Sequence, residues 1–421
     1  MQSSIKLRLT VMNFLQFAVW GAYLTSMGRY LGTAGFGSEI GNFYAMQGLV
    51  SLFMPALMGI VADRWIPAQR LLGVCHTLAG MLMLGVFLYT QTDAPSYPSL
   101  FALYSLSVAF YMPTLALSNS VAYTSLDQAG LDLVKSFPPI RVFGTVGFIC
   151  TMIAVSLLGL EATSGQFAVS AIISLVLAVY AQTLPNCPTA PKGQSKSLVE
   201  ALGLRAFVLF KQRKMALFFI FSMLLGVSLQ ITNGFANPFI STFGEIPAYA
   251  DTFGVKYANI LISLSQLSET LCILLIPFAL RRFGIRRVML IAMVAWVLRF
   301  ALLGLGNPGS GVWLFLLSMI VYGVAFDFFN VSGSLFVDKE TDPSIRSSAQ
   351  GLFMIMTNGI GATLGSLGAQ AVINRFVYSQ SEATAILSGW TTSWYIFAGY
   401  AAAVAVLFAL LFRYNSATEA K

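Results

Sequence analysis

The sequence predicts an all-α integral membrane protein of twelve transmembrane helices, and three observations carry that reading. Of 421 residues, 57% are hydrophobic and only 10% charged, where a soluble domain carries about 25% charged residues; mean hydropathy is +0.77. Apolar runs of the ~20 residues needed to cross a bilayer recur from end to end. Their cores lie at 10–31, 41–62, 71–90, 98–122, 138–160, 166–184, 215–238, 258–280, 287–305, 312–335, 348–373 and 390–412. The third observation is charge asymmetry. With the N-terminus inside, 19 of the 24 basic residues fall on inner segments, while Arg29, Lys256 and Arg375 are outside and Arg141 and Arg299 lie within spans. Such a bias places both termini in the cytoplasm. It accounts for the net charge of +8 without a nucleic-acid partner; the expected partner of this surface is the lipid bilayer.

Cys75, Cys150, Cys187 and Cys272 include no CxxC pair, so neither a disulfide framework nor a zinc site is indicated. No metal or cofactor is expected. The first span, from near Leu9, has no small-residue cleavage site before a mature domain and reads as a retained helix. It carries Asn13, Gln16 and Trp20 on a mostly apolar surface.

The second span ends in GIVADRWIPAQR, Gly59–Arg70. Asp63, Arg64 and Arg70 at this inner edge are either a charged stop or a charge-paired latch between moving helices, with Gly59 permitting close contact. The third holds His76, the one histidine. It could titrate near neutral pH, but near the span's inner end it reads as structural or interfacial. The fourth contains Tyr111, Pro113 and Asn119. SFPPIRVFGTVGF, Ser136–Phe148, follows, and its two prolines suit a helix start, where no backbone donor is needed. Arg141, Thr145 and Phe148 then share one helical stripe. Arg141 is either a snorkelling arginine or a fixed cation lining a cavity with the Thr145 hydroxyl.

Residues 185–214 divide the chain. PNCPTAPKGQSKS cannot span and reads as a cytoplasmic linker; LVEALGLRAFVLFKQRK reads as a short amphipathic helix along the membrane face. The expected domains are therefore 1–184, a six-helix bundle, and 215–421, a second one. In the seventh span Gln230, Asn233 and Asn237 recur along one stripe, and in the eighth Gln266 and Glu269 lie near the midplane. Interhelical amide bonding alone could explain the amides; it explains Glu269 and Asp327 less well. PFALRRFGIRRVML, Pro277–Leu290, repeats the basic cluster of Gly59–Arg70 in the second half, a weak internal repeat of the kind duplicated transporters show. Arg299 reads as structural, or as snorkelling to the outer surface.

The stretch Ile320–Ser334, IVYGVAFDFFNVSGS, is the focus of the chain. An ionised carboxylate in hydrocarbon costs several kcal/mol, so Asp327 must face protein, water or a ligand. Tyr322 and Phe326 share a helix face, with Asp327 and Asn330 about a third of a turn round. A ring face beside a carboxylate and an amide suits a ligand flat at one end and hydroxylated at the other. The plainer reading is a buried Asp pinning two helices together.

With these residues in view, the chain resembles the major facilitator superfamily through GIVADRWIPAQR. More narrowly it is similar to the bacterial nucleoside:proton symporters, the nucleoside permeases, through FLQFAVWGAYL, FMPALMGIVADRW, AFYMPTLALSNSVAY, FPPIRVFGTVGF, FFIFSMLLGVSLQITN, SLSQLSETL, VLRFALLG, MIVYGVAFDFFNVSGS and AQGLFMIMTNGIG. The resemblance covers most of the chain. It implies the major facilitator fold, with two six-helix bundles opened alternately to either side of a bacterial inner membrane, and a monomer that imports a nucleoside with a proton. The family's substrate-site pattern falls on Arg141, Thr145, Phe148, Gln230, Asn233, Gln266, Glu269, Tyr322, Phe326 and Asp327, all of matching residue type.

The chemistry agrees. Ribose hydroxyls both donate and accept, as Gln, Asn and carboxylate groups can satisfy, and a flat base suits Phe148, Tyr322 or Phe326. With no Walker-type loop, a neutral nucleoside fits better than its phosphate. Asp327 and Glu269 are the candidates for proton coupling, and Asp63, Arg64 and Arg70 for gating. The nearest alternative is a sugar or oligosaccharide:proton symporter of the same fold. An enzyme would need a nucleophile–base pair or metal cluster that the sequence lacks, and a receptor would need a signalling domain.

Overall fold

The computed structural model describes residues 2–189, 204–343 and 345–414. Among them the regular structure is helical. In chain order the helices are α1 (Gln2–Gly21), α2 (Met27–Thr33), α3 (Ile40–Ser51), α4 (Met54–Arg64), α5 (Ala68–Tyr89), α6 (Tyr97–Gln128), α7 (Leu133–Leu157) and α8 (Gly165–Ala181). They continue with α9 (Arg213–Leu229), α10 (Ile231–Thr242), α11 (Ala258–Leu305), α12 (Val312–Glu340), α13 (Arg346–Met354), α14 (Ala362–Phe376) and α15 (Ala383–Leu411). Among the described residues nine helical stretches are long and apolar enough to cross a membrane, and Gly165–Ala181 is a shorter apolar one. The predicted cores 258–280 and 287–305 run together in α11, which turns at Gly284 with φ 75°, a backbone geometry glycine adopts without a Cβ penalty.

Several predicted spans are broken helices, each with a local cause. α4 begins with Pro55 in its first turn, after a break at residues 52–53. α9 stops at Leu229 and α10 starts at Ile231, leaving Gln230 at the junction. Between α13 and α14 the backbone widens into a π-helical turn, Ile355–Gly361, a distortion frequent at functional sites. Glycines let the helices touch here: a Cβ on Gly361 of the turn would strike the Met223 carbonyl, one on Gly226 of α9 the Thr357 backbone, and one on Gly365 of α14 the Val227 backbone.

Helix α7 corrects one expectation. It starts at Leu133, so Pro138 and Pro139 lie in its second turn and not at its start. Arg141 is thus more than two turns inside the helix. In the dividing segment, Leu204–Lys211 forms a short 3-10 helix with Ala206 and Leu209 buried and Arg205 and Lys211 exposed; the rest of the expected amphipathic helix, residues 198–203, lies outside the described residues.

The chain forms two compact units, Met1–Tyr30 with Leu49–Leu202, and Leu31–Gly48 with Gly203–Lys421. The first has an aliphatic core that includes Leu9, Met12, Leu72, Val121 and Leu177. Its helices α1 and α7 are in backbone contact, because Gly147 faces the Phe14 backbone and Gly21 that of Phe148. The second is built on aromatics, with Phe218 against Phe336 at 4.7 Å and Phe239 against Trp394 at 5.5 Å between ring centres. Here the segment 31–48 lies on α14. Gly41 N–H donates to Gln370 Oε1 at 2.5 Å, and Gln370 Nε2 donates to the Gly37 carbonyl at 3.0 Å.

Candidate functional site

In the second unit, α11 and α12 meet where Gly323 faces the Ser268 carbonyl and Cys272, and Ser268 Oγ donates to the Ile320 carbonyl. A side chain at position 323 would part the two helices. Their closeness sets Glu269 of α11 within electrostatic range of Asp327 of α12. Tyr322 and Phe326 stack at 5.6 Å with 11° between ring planes, as their four-residue spacing predicts. Trp296 stands edge-on to Tyr322 at 5.9 Å and 87°.

Asp327 is 5% exposed, and its Oδ2 has no hydrogen-bond partner; neither has the buried Oε1 of Gln266. Two acceptors in low dielectric without donors are an expensive arrangement. Asp327 therefore does not pin helices by hydrogen bonding. At the α9–α10 junction, Asn233 Nδ2 donates to Gln230 Oε1 at 2.7 Å. Asn237 separates from this pair: its Nδ2 donates to Asn259 Oδ1 at 2.9 Å, holding α10 to α11.

In the first unit, the Arg141 guanidinium sits 4.0 Å over the Phe17 ring, a geometry worth ~0.5–2 kcal/mol depending on solvation. Phe148 is buried and edge-on to Trp20 at 6.4 Å, and Trp20 lies 6.1 Å from Tyr111. Thr145 is half-buried on the same helix. The Trp20 indole N–H is buried without a partner. Phe17, Trp20 and Tyr111 were not singled out from sequence as site residues; an unpartnered indole donor beside Phe148 is visible only in three dimensions.

His76 is completely buried. Its Nε2 meets Gln16 Oε1 at 2.8 Å and its Nδ1 meets Ser174 Oγ at 2.9 Å. Gln16 Nε2 donates to Thr114 Oγ1 at 2.7 Å, which donates on to the Tyr111 carbonyl at 2.5 Å. The Thr114 hydrogen is thereby used, which orients the Gln16 amide and makes His76 Nε2 a donor. This is the structural role expected of it, in the bundle interior.

Asp63 is half-buried at the end of α4 next to the exposed Arg64, and Arg70 is exposed in the first turn of α5. Gly59 departs from expectation: a Cβ there would meet nothing within 4 Å, so it makes no close helix contact. Arg299 departs too. It does not snorkel but is 2% exposed inside the second unit, its guanidinium 4.5 Å over the Tyr322 ring.

Helices long enough to span a bilayer, two compact units, and stacked rings beside a buried carboxylate fit a membrane transporter of the major facilitator type. The comparisons with known proteins agree. The family profile "Nucleoside H+ symporter" matches residues 3–417, and the chain belongs to that family. It is 49% identical to the xanthosine permease of Escherichia coli K12 over 419 residues, 99% of this chain and 98% of the relative. It is 47% identical to the nucleoside permease NupG of the same organism over 415 residues, 98% and 97% of the two chains. A crystal structure of the nucleoside transporter NupG superposes with a TM-score of 0.89 at 46% identity, covering 98% of this chain and all of that one. A POT-family peptide transporter, TM-score 0.68 at 16% identity over 98% and 97% of the two chains, shares the fold alone.

Proposed function

We propose that this chain carries nucleosides across the inner membrane together with protons, as a monomer, by alternating access of two six-helix bundles with both termini cytoplasmic. The observation that carries the reading is the neighbourhood of Asp327: an unpartnered buried carboxylate oxygen beside the Tyr322–Phe326 stack, with Glu269 in electrostatic range. The rings offer a flat face to a base, and Gln266, Glu269, Gln230 and Asn233 offer donors and acceptors to ribose hydroxyls. Arg141, Thr145 and Phe148 form the first unit's own substrate-binding set, with Phe148 as its aromatic. Asp327 and Glu269 exchange the proton, and Asp63, Arg64 and Arg70 act in gating.

Relatives named for xanthosine and for nucleosides support a nucleoside as the substrate. The test is uptake of a panel of nucleosides, bases and sugars into proteoliposomes under an imposed pH gradient. Accumulation of nucleosides, uncompeted by sugars, is expected. Sugar accumulation would overturn the substrate, and nucleoside uptake indifferent to the gradient would overturn the coupling.

A further inference from the structure

The cation of the first unit has a seat that the transport reading above does not use. Arg141 is half-buried on α7, and its guanidinium carbon lies 4.0 Å from the centre of the Phe17 ring of α1. That is well inside the separation of about 6 Å within which a ring face attracts a cation. Phe17 is itself only half-buried, so its ring is not given over wholly to the core.

A glycine makes room for the pair. A Cβ on Gly144, three residues after Arg141, would come 2.6 Å from Phe17 Cδ2 and 2.8 Å from Arg141 Nη1. Both separations are shorter than a side-chain carbon tolerates, so any side chain at 144 would disturb the ring and the guanidinium together. The backbones that carry them are pinned on either side. Gly147 of α7 faces the Phe14 backbone, and Gly21 of α1 faces that of Phe148. Phe14, Phe17 and Gly21 share one face of α1, so Phe17 is presented to α7 from a helix that has no room to slide. The same helix goes on to meet Phe148 through Trp20, edge-on at 6.4 Å.

A ring is a particular kind of partner for an arginine. A carboxylate would offset its charge and occupy its N–H groups, whereas an aromatic face takes the flat side of the guanidinium and none of its in-plane donors. A long side chain that is already seated also loses less rotamer freedom when a ligand arrives.

We infer that Phe17 is a positioning residue for substrate binding: its ring seats the Arg141 guanidinium flat, so that the in-plane N–H groups serve the nucleoside, and Gly144 keeps that seat clear. The inference rests on the proposed role of Arg141 in the first unit's substrate-binding set.

The experiment titrates xanthosine and uridine calorimetrically into purified Phe17→Leu, Arg141→Gln and the double variant, and into protein with 3,4,5-trifluorophenylalanine in place of Phe17. Melting temperatures in detergent run alongside. Trifluorination nearly keeps the ring's shape and withdraws electrons from its face, so it removes the attraction for a cation and leaves the packing. The trifluoro and Leu proteins should bind roughly 2- to 30-fold more weakly than native, the range of a cation–π contact, with the trifluoro protein at native melting temperature. The double variant should bind no more weakly than Arg141→Gln alone, because Phe17 acts through Arg141. Native affinity in the trifluoro protein overturns the inference whatever Leu does, and so does an additive loss in the double variant. If Phe17→Leu fails to fold, the trifluoro protein decides by the same criterion. Should Arg141→Gln bind both nucleosides as the native protein does, the reading of Arg141 as a binding residue has itself failed, an outcome separate from these.

Discussion

Asn233 donates its side-chain N–H to the Gln230 side-chain oxygen at 2.7 Å, across the junction of α9 and α10. The bond leaves the Gln230 amino group and the Asn233 carbonyl oxygen as a donor and an acceptor one helical turn apart, the complement of vicinal hydroxyls. Removing either side chain should weaken nucleoside binding by ~1–3 kcal/mol, the usual result of leaving a polar partner unmet. Because the amides hold each other, the double Ala variant should lose less than the sum of the singles. Calorimetric titration of the purified variants checks this; native affinity with reduced expression would make the amides helix glue.

Asp327→Asn and Glu269→Gln separate coupling from binding. The residue that exchanges the proton should lose gradient-driven accumulation while keeping much of its counterflow. Asp327 is the stronger candidate, since its Oδ2 is buried without a donor and Phe328 beside it is buried too. Glu269 then chiefly holds substrate. If both variants still concentrate nucleoside, the proton travels elsewhere, and His76→Asn becomes the next variant to assay.

Neutralising Asp63 should alter the transport rate and leave equilibrium affinity nearly intact, because it lies at the end of α4, a helix that carries none of the proposed substrate-binding residues. Uptake kinetics and equilibrium binding on the same Asp63→Asn preparation decide the matter. A large loss of affinity would move this residue out of gating.

Two glycines make opposite predictions. Even the methyl group of Gly147→Ala would strike the Phe14 backbone, so the variant should be destabilised by ~1–3 kcal/mol or fail to fold. Gly59→Ala enters open space in the interior of α4 and should be neutral or gain up to about 1 kcal/mol from helix propensity. Melting temperatures in detergent would show the contrast.

Much of this was legible in the chain. Hydrophobic run length and the placement of lysine and arginine are one-dimensional properties, and they determined a multi-pass helical membrane protein. Relations set by local spacing were equally readable: Tyr322 stacks on Phe326 four residues on, and Asn233 reaches Gln230 three residues back across the helix junction. What the tertiary structure decided were relations between helices. Gly147 lies against a neighbouring backbone and Gly59 against nothing, yet both are glycines in apolar helices. Arg299 turned inward onto Tyr322, and Gln16 with Ser174 took both nitrogens of His76. No periodicity encodes such partners, because the packing of one helix on another sets which side chains converge, and burial then decides which of them keep a charge or an open hydrogen bond.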